Sequence, residues 1–77
     1  MKLKEKISVL DKFGELYLLD DFLGVILKVV RNNGRDEQFL KWKGRKEKKV
    51  SVFNETACDI YIDNGTKQVT KEFYEKY

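Results

Sequence analysis

The stretch from Leu23 to Lys43 constrains this chain most. Leu23, Val25, Leu27 and Val29 occupy alternate positions in a run dense in β-branched residues, the period-two pattern of a buried strand. Asn33-Gly34 follows, and that dipeptide supplies the positive φ angles a tight hairpin turn needs. Gln38 to Lys43 predicts the returning strand, with Leu40 and Trp42 on one face and Lys41 and Lys43 on the other. Gly44 ends it. Val50 and Val52, with Ser51 between them, predict a third strand of the same sheet. Three antiparallel strands with short turns form a curved meander.

That meander must be stabilised without covalent help. The chain has 77 residues and 9.2 kDa, which allows one domain. A domain of this size buries only roughly 60–65% of its unfolded surface. One cysteine, Cys58, and no histidine leave no internal disulfide framework and no structural zinc site. A packed core and oligomerisation are the remaining sources of stability. Hydrophobic residues make up 42% of the chain, too many for a disordered segment. The longest apolar stretch, Phe22 to Val30, contains Lys28 and falls far short of the ~20 residues that cross a bilayer. The basic start, Met1 to Lys6, leads into no apolar run of the signal-peptide kind. With the lone cysteine, these features predict an intracellular protein with no membrane contact.

The flanks read less uniquely. Lys6 to Leu10 and Glu15 to Leu19 form two strands joined by a turn at Asp11 to Gly14, or a helix runs through residues 3–20. In the first case Leu16 and Leu18 face one way, and Tyr17 and Leu19 the other. Either way residues 1–21 are expected as an N-terminal extension, hairpin or helix, on a core of residues 22–77. Beyond the meander, Asn54 caps a short helix carrying Ala57, Ile60 and Tyr61. Asp63-Asn64-Gly65 stops it, with Gly65 as a left-handed cap. Cys58, Ile60 and Ile62 also alternate, which allows a strand there. Thr66 caps a last helix, Lys67 to Tyr77, whose apolar stripe is Val69, Phe73 and Tyr77 with Tyr74 beside it. The expected fold is a small α+β domain, a curved antiparallel sheet of three to five strands in an SH3-like or chromo-like arrangement with a C-terminal helix.

Catalytic patterns are missing from the sequence: there is no glycine-rich phosphate loop, no nucleophile–base pair and no metal-ligand cluster. Asp20 and Asp21 are adjacent, and neighbours on a strand point to opposite faces. Cys58 has no histidine to activate it, and Ala57 and Ile60 nearby suggest burial. The chain is therefore expected not to be an enzyme and to hold no cofactor or metal. The basic run is more suggestive. Lys41, Lys43, Arg45, Lys46, Lys48 and Lys49 place six cations in nine residues around Trp42, opposed only by Glu47. This is the pattern of phosphate contacts beside a stacking ring, and equally of a solvated turn whose lysines guard an edge strand. A net charge of only +3 limits any basic field.

The segment from Val25 to Gly44, with Asn33-Gly34 leading into Phe39-Leu40-Lys41-Trp42-Lys43-Gly44, resembles the chromodomain superfamily. The ending Val69 to Glu75, containing Phe73-Tyr74-Glu75, is similar to the last helix of the chromo shadow domain. The resemblance covers residues 22–77. In that family Trp42 matches a tryptophan of the aromatic cage that binds methylated lysine. The position three residues on is Arg45, whose charge would repel a quaternary ammonium, so the shadow-domain side of the family is implied. Those domains dimerise through the last helix and clamp an extended peptide. The resemblance thus implies a nuclear protein-interaction module of chromatin, with Val69, Phe73, Tyr74 and Tyr77 at a homodimer or partner interface and an exposed strand edge taking up a partner strand. The family's central interface isoleucine aligns with Lys71. Two other readings stay open: nucleic-acid binding through residues 41–49, and a phage or mobile-element protein that binds and inhibits a host protein.

Overall fold

A computed structural model describes Met1–Tyr77. Its elements, in chain order, are helix α1 (Leu3–Phe13), strands β1 (Glu15–Asp20), β2 (Val25–Asn32), β3 (Arg35–Trp42) and β4 (Lys48–Val50), helix α2 (Glu55–Ile62), strand β5 (Lys67–Gln68) and helix α3 (Lys71–Lys76). The five strands form one curved antiparallel sheet in the order β4-β3-β2-β1-β5. Its two edges, β4 and β5, do not meet, so the sheet stays open rather than closing into a barrel.

The central hairpin follows from its sequence. Asn33 and Gly34 have φ of 53° and 77°, the left-handed pair of a type I′ turn that matches the twist of the flanking strands. The turn sets the register that pairs Val29 with Gln38, Leu27 with Leu40 and Val25 with Trp42. Leu16 and Leu18 of β1 then lie opposite Val29 and Leu27 on the same face. Leu10 from α1 and Ala57 and Ile60 from α2 cover that face and complete the larger core. On the other face Tyr17, Leu19 and Ile26 pack with Tyr74 of α3, and Val69 and Tyr77 flank them. Four consecutive residues of β1, Leu16 to Leu19, are buried, because helices cover both sides of this strand.

Residues 1–21 are therefore not an appendage. They provide α1 and β1, and β1 is paired on both sides, with β2 and β5. The two sequence alternatives for this region each hold in part. A helix forms, but it ends at Phe13, where Gly14 adopts a φ of 76° and its N–H donates to the Leu10 carbonyl at 2.8 Å. The strand from Glu15 follows with the facing expected of it. Lys6 to Leu10 is helical, and Cys58 to Ile62 is helical as well.

The C-terminal third departs from expectation at two caps. Gly65 is not left-handed; α2 stops at Asp63, whose N–H donates to the Asp59 carbonyl and whose carboxylate accepts the Gly65 N–H at 2.8 Å. Thr66 does not start a helix. It is buried, and its hydroxyl donates to the carbonyls of Asp63 (2.9 Å) and Ile60 (3.3 Å). Held there, the chain leaves in extended form, and Lys67 and Gln68 pair with Leu19 and Leu18. The last helix starts only at Lys71, capped by the Thr70 hydroxyl on the Phe73 N–H at 3.1 Å. The cap expected at Asn54 forms, its side chain accepting the Ala57 N–H at 3.0 Å.

Candidate interaction surface

The residues expected at an interface have separate fates. Tyr74 is only 4% exposed. Its ring lies 5.1 Å from that of Tyr17, and its hydroxyl donates to the Glu47 carboxylate at 2.5 Å. It is a core residue of this chain and does not present its ring to a partner. Val69 precedes α3 rather than belonging to it and is half-buried against the smaller core. Phe73 is exposed, and its ring stacks on Tyr77 at 5.8 Å. The Tyr77 carbonyl accepts the Gly44 N–H at 2.7 Å, which ties the end of α3 to the end of β3. Of the expected stripe, Phe73 and part of Tyr77 remain accessible.

Sequence reasoning missed the most exposed apolar side chain, at the tip of the β1–β2 turn; Phe53, Phe13 and Ile62, elsewhere on the surface, are also exposed. Phe22 is 96% exposed and Leu23 is also exposed, both in the turn between β1 and β2. The turn is well determined: the Asp20 carboxylate accepts the Leu23 N–H at 3.0 Å, and the Gly24 N–H donates to the Asp20 carbonyl at 2.9 Å. The same end of the sheet holds Trp42, opposite Val25 in the register, and Lys43, whose N–H donates to the Gly24 carbonyl at 3.2 Å. The Tyr77 hydroxyl approaches Gly24 here too. Phe22, Leu23 and Trp42 lie at one end of the sheet, Trp42 on the face it shares with Val25 and Leu40, whereas Phe73 stacks on Tyr77 on the opposite face. The signal in the sequence is two large apolar residues framed by Asp20-Asp21 and Gly24, a turn frame that ordinarily carries polar side chains. By pattern alone Leu23 continues the β2 alternation, which hides it from this signal.

Trp42 is partly exposed and lies in neither of the two ring pairs, Tyr17–Tyr74 and Phe73–Tyr77. No aromatic cage is assembled around it.

The basic run splits by function. Lys41 donates to the carbonyls of Tyr74 (2.7 Å) and Glu75 (3.0 Å) at the end of α3, where a cation complements the helix dipole. Lys49 pairs with Glu37 at 3.1 Å. Lys43, Arg45, Lys46 and Lys48 are exposed and lie in no ion pair. A cleft of about 510 Å³ beneath this connection is lined by Lys41, Arg45 and Lys46 but also by Glu47 and Glu75. The hydrogen bond from Tyr74, partly opposed by burial, holds the Glu47 carboxyl below its ordinary range, with Lys28 adding to the effect. Glu47 therefore stays charged in that cleft at neutral pH.

The remaining candidates are quiet. Cys58 is a free thiol, half-buried, donating weakly to the Val52 carbonyl at 3.4 Å. Asp21 pairs with Lys67 at 3.2 Å, while Asp20 is engaged in its turn. No three His, Cys, Asp or Glu side chains converge as a metal site would require. No helix is long and apolar enough to cross a membrane. No protein-family model matches the chain, and comparison with curated proteins and with solved structures yields no significant match.

Proposed function

We propose that this chain is a non-enzymatic protein–protein interaction module, and that its docking surface is the end of the sheet at the Phe22–Leu23 turn, with Trp42 on one face of the sheet and Phe73 on the other. The observation that carries the reading is Phe22. A phenylalanine at a turn tip, 96% exposed, makes almost no contribution to its own fold. A large exposed aromatic is what protein interfaces use as an anchor, and Phe22 is more exposed than Phe53 (87%), between β4 and α2, or Phe13 (65%), at the end of α1. Trp42 adds an indole, a side chain enriched at such anchors.

The chromo shadow resemblance suggests the form the interaction takes: self-association in chromatin, with Phe73 on α3 at the contact. Because Tyr74 is buried and α3 has six residues, the reading relies on Phe73 and the β1–β2 turn rather than on a full helical stripe. Sedimentation equilibrium tests it. The mass is expected to rise with concentration from 9.2 kDa toward the dimer. Phe22→Asp and Phe73→Asp should each return it to the single-chain value without changing the far-UV circular dichroism. A single-chain mass at every concentration refutes the dimer.

A second reading is favoured by the four unpaired cations Lys43, Arg45, Lys46 and Lys48 beside a partly exposed Trp42. If they bind single-stranded nucleic acid, affinity falls steeply with added salt and the Trp42 fluorescence is quenched. Absent or salt-independent binding removes this reading.

A further inference from the structure

The opposite end of β3 has a different character. Asn32 and Arg35 flank a two-residue turn, so backbone groups of β3 alternate: Arg35, Glu37 and Phe39 face β2, whereas Asp36, Gln38 and Leu40 face away. Strand β4 meets Gln38 and Leu40, through Val50 and Lys48, and extends no further. The chain then turns off at Ser51, whose carbonyl accepts the Asn54 N–H at 2.9 Å. The backbone N–H and C=O of Asp36 are left facing outward with no strand beside them.

Beside this free corner, between β3 and α2, lies a cavity of about 260 Å³ lined by Asp36, Gln38, Val52, Cys58, Tyr61 and Ile62. It adjoins a groove of about 610 Å³ along the hairpin, which shares Asp36, Gln38 and Val52. Val52 and Ile62 are exposed in its walls. Gln38 is 8% exposed, and its Oε1 is buried without a hydrogen-bond partner. An unsatisfied buried carbonyl of this kind costs about 1–3 kcal/mol. An apolar residue would suit the position between Val29 and Val50 better, unless something satisfies the carboxamide.

We infer that this corner is a docking site for an extended peptide segment of a protein partner, with one branched apolar side chain seated between Val52 and Ile62 and its peptide group paired to the Gln38 carboxamide. The chemistry of the two polar features selects this occupant. A carboxamide offers one acceptor and one donor face, and a peptide group matches both whichever way the amide is turned. The outward N–H and C=O of Asp36 match the backbone of an added strand. The inference rests on the reading of the chain as an interaction module, but it uses the opposite end of the sheet from Phe22.

Cys58 makes the site testable without knowing the partner, because it lines the cavity and is the single cysteine. The probe is a set of cysteamine disulfides N-acylated with isovaleryl or isobutyryl groups, each paired with the ester of the 2-mercaptoethanol disulfide, which replaces the one N–H by oxygen. They are equilibrated with the full chain under mild reductant and read by intact mass. Amide members are expected to be captured roughly tenfold more than their esters. Gln38→Leu should bring the ratio to one. In the wild-type adduct, hydrogen exchange of the Asp36 amide should slow by roughly tenfold as it gains a partner. Equal capture of amides and esters by the wild type overturns the role of Gln38, and unchanged exchange at Asp36 overturns the strand-like occupant. Both measurements use the unaltered chain, so misfolding of the variant would not rescue the proposal. A single-chain mass in sedimentation, which would refute the dimer, leaves both readouts intact.

Discussion

Lys6 gives the deepest test of how this core is held. It is fully buried, on the same face of α1 as Leu10. Its ammonium donates to the carbonyls of Tyr61 (2.7 Å), Asp63 (2.7 Å) and Ile60 (3.4 Å). These lie at the end of α2, where a helix has no further N–H groups to offer its last carbonyls. The Thr66 hydroxyl is a second donor to Asp63 and Ile60 but not to Tyr61. Lys6→Met keeps the apolar stem and leaves the Tyr61 carbonyl without its donor, which costs about 1–3 kcal/mol. Loss of a cation near a helix C-terminus adds about 0.3–1 kcal/mol. Relief of the desolvated ammonium works in the opposite direction. The expected net loss is about 2 kcal/mol, or roughly 8–16 °C in Tm for a domain of this length. Thr66→Val leaves Lys6 on both shared carbonyls and should cost only about 1 kcal/mol. The double variant strands the Ile60 carbonyl as well as that of Tyr61, while Asp63 keeps the Thr66 N–H at 3.3 Å, so its loss should exceed the sum of the singles by about 1–3 kcal/mol. Urea unfolding followed by circular dichroism and Trp42 fluorescence measures all four chains. A neutral or stabilised Lys6→Met, or an additive double variant, refutes the shared cap. Burial also pushes the Lys6 pKa down, against the pull of the Asp63 carboxylate. The unfolded chain then binds more protons between the lowered value and 10.5, so the wild type should gain on Lys6→Met as pH rises through that window.

Three further outcomes are expected. Burial, aided by the Glu15 carboxylate, pushes the Tyr17 hydroxyl up to about 12; a spectrophotometric titration should show its ionisation delayed, with stability falling as pH rises from the ordinary phenol value toward 12. Tyr74→Phe removes a hydrogen bond to a charged carboxylate and should cost about 1.5–3 kcal/mol; an NMR titration should show the Glu47 carboxyl moving back up toward its ordinary range, since that bond is the main cause of its depression. Gly34→Val meets no neighbouring atom but must adopt a φ of 77°, so its cost of about 1–2 kcal/mol, read by thermal unfolding, is conformational rather than steric.

What the residues determined locally is the meander and its caps. Val25 to Val29, Asn33-Gly34 and Leu40 act over a few residues, through strand alternation and a turn only certain side chains allow, and the register follows from them. Asn54 caps α2 by the same short-range logic. The fate of the ends was decided at longer range. Thr66 is a competent helix cap by type, but the open carbonyls of α2 take its hydroxyl, and the segment after it becomes β5 on the free side of β1. Lys6 reads as a solvent-facing charge until α2 places three carbonyls above it. Tyr74 shares an apolar helix stripe with Phe73, yet only the packing of α3 on Tyr17 decides that one ring is buried and the other stays in water. The exposed end at Phe22 and the unsatisfied Gln38 belong to the same class. Exposure and hydrogen-bond satisfaction are properties of neighbours far away in the chain, and no local pattern encodes them.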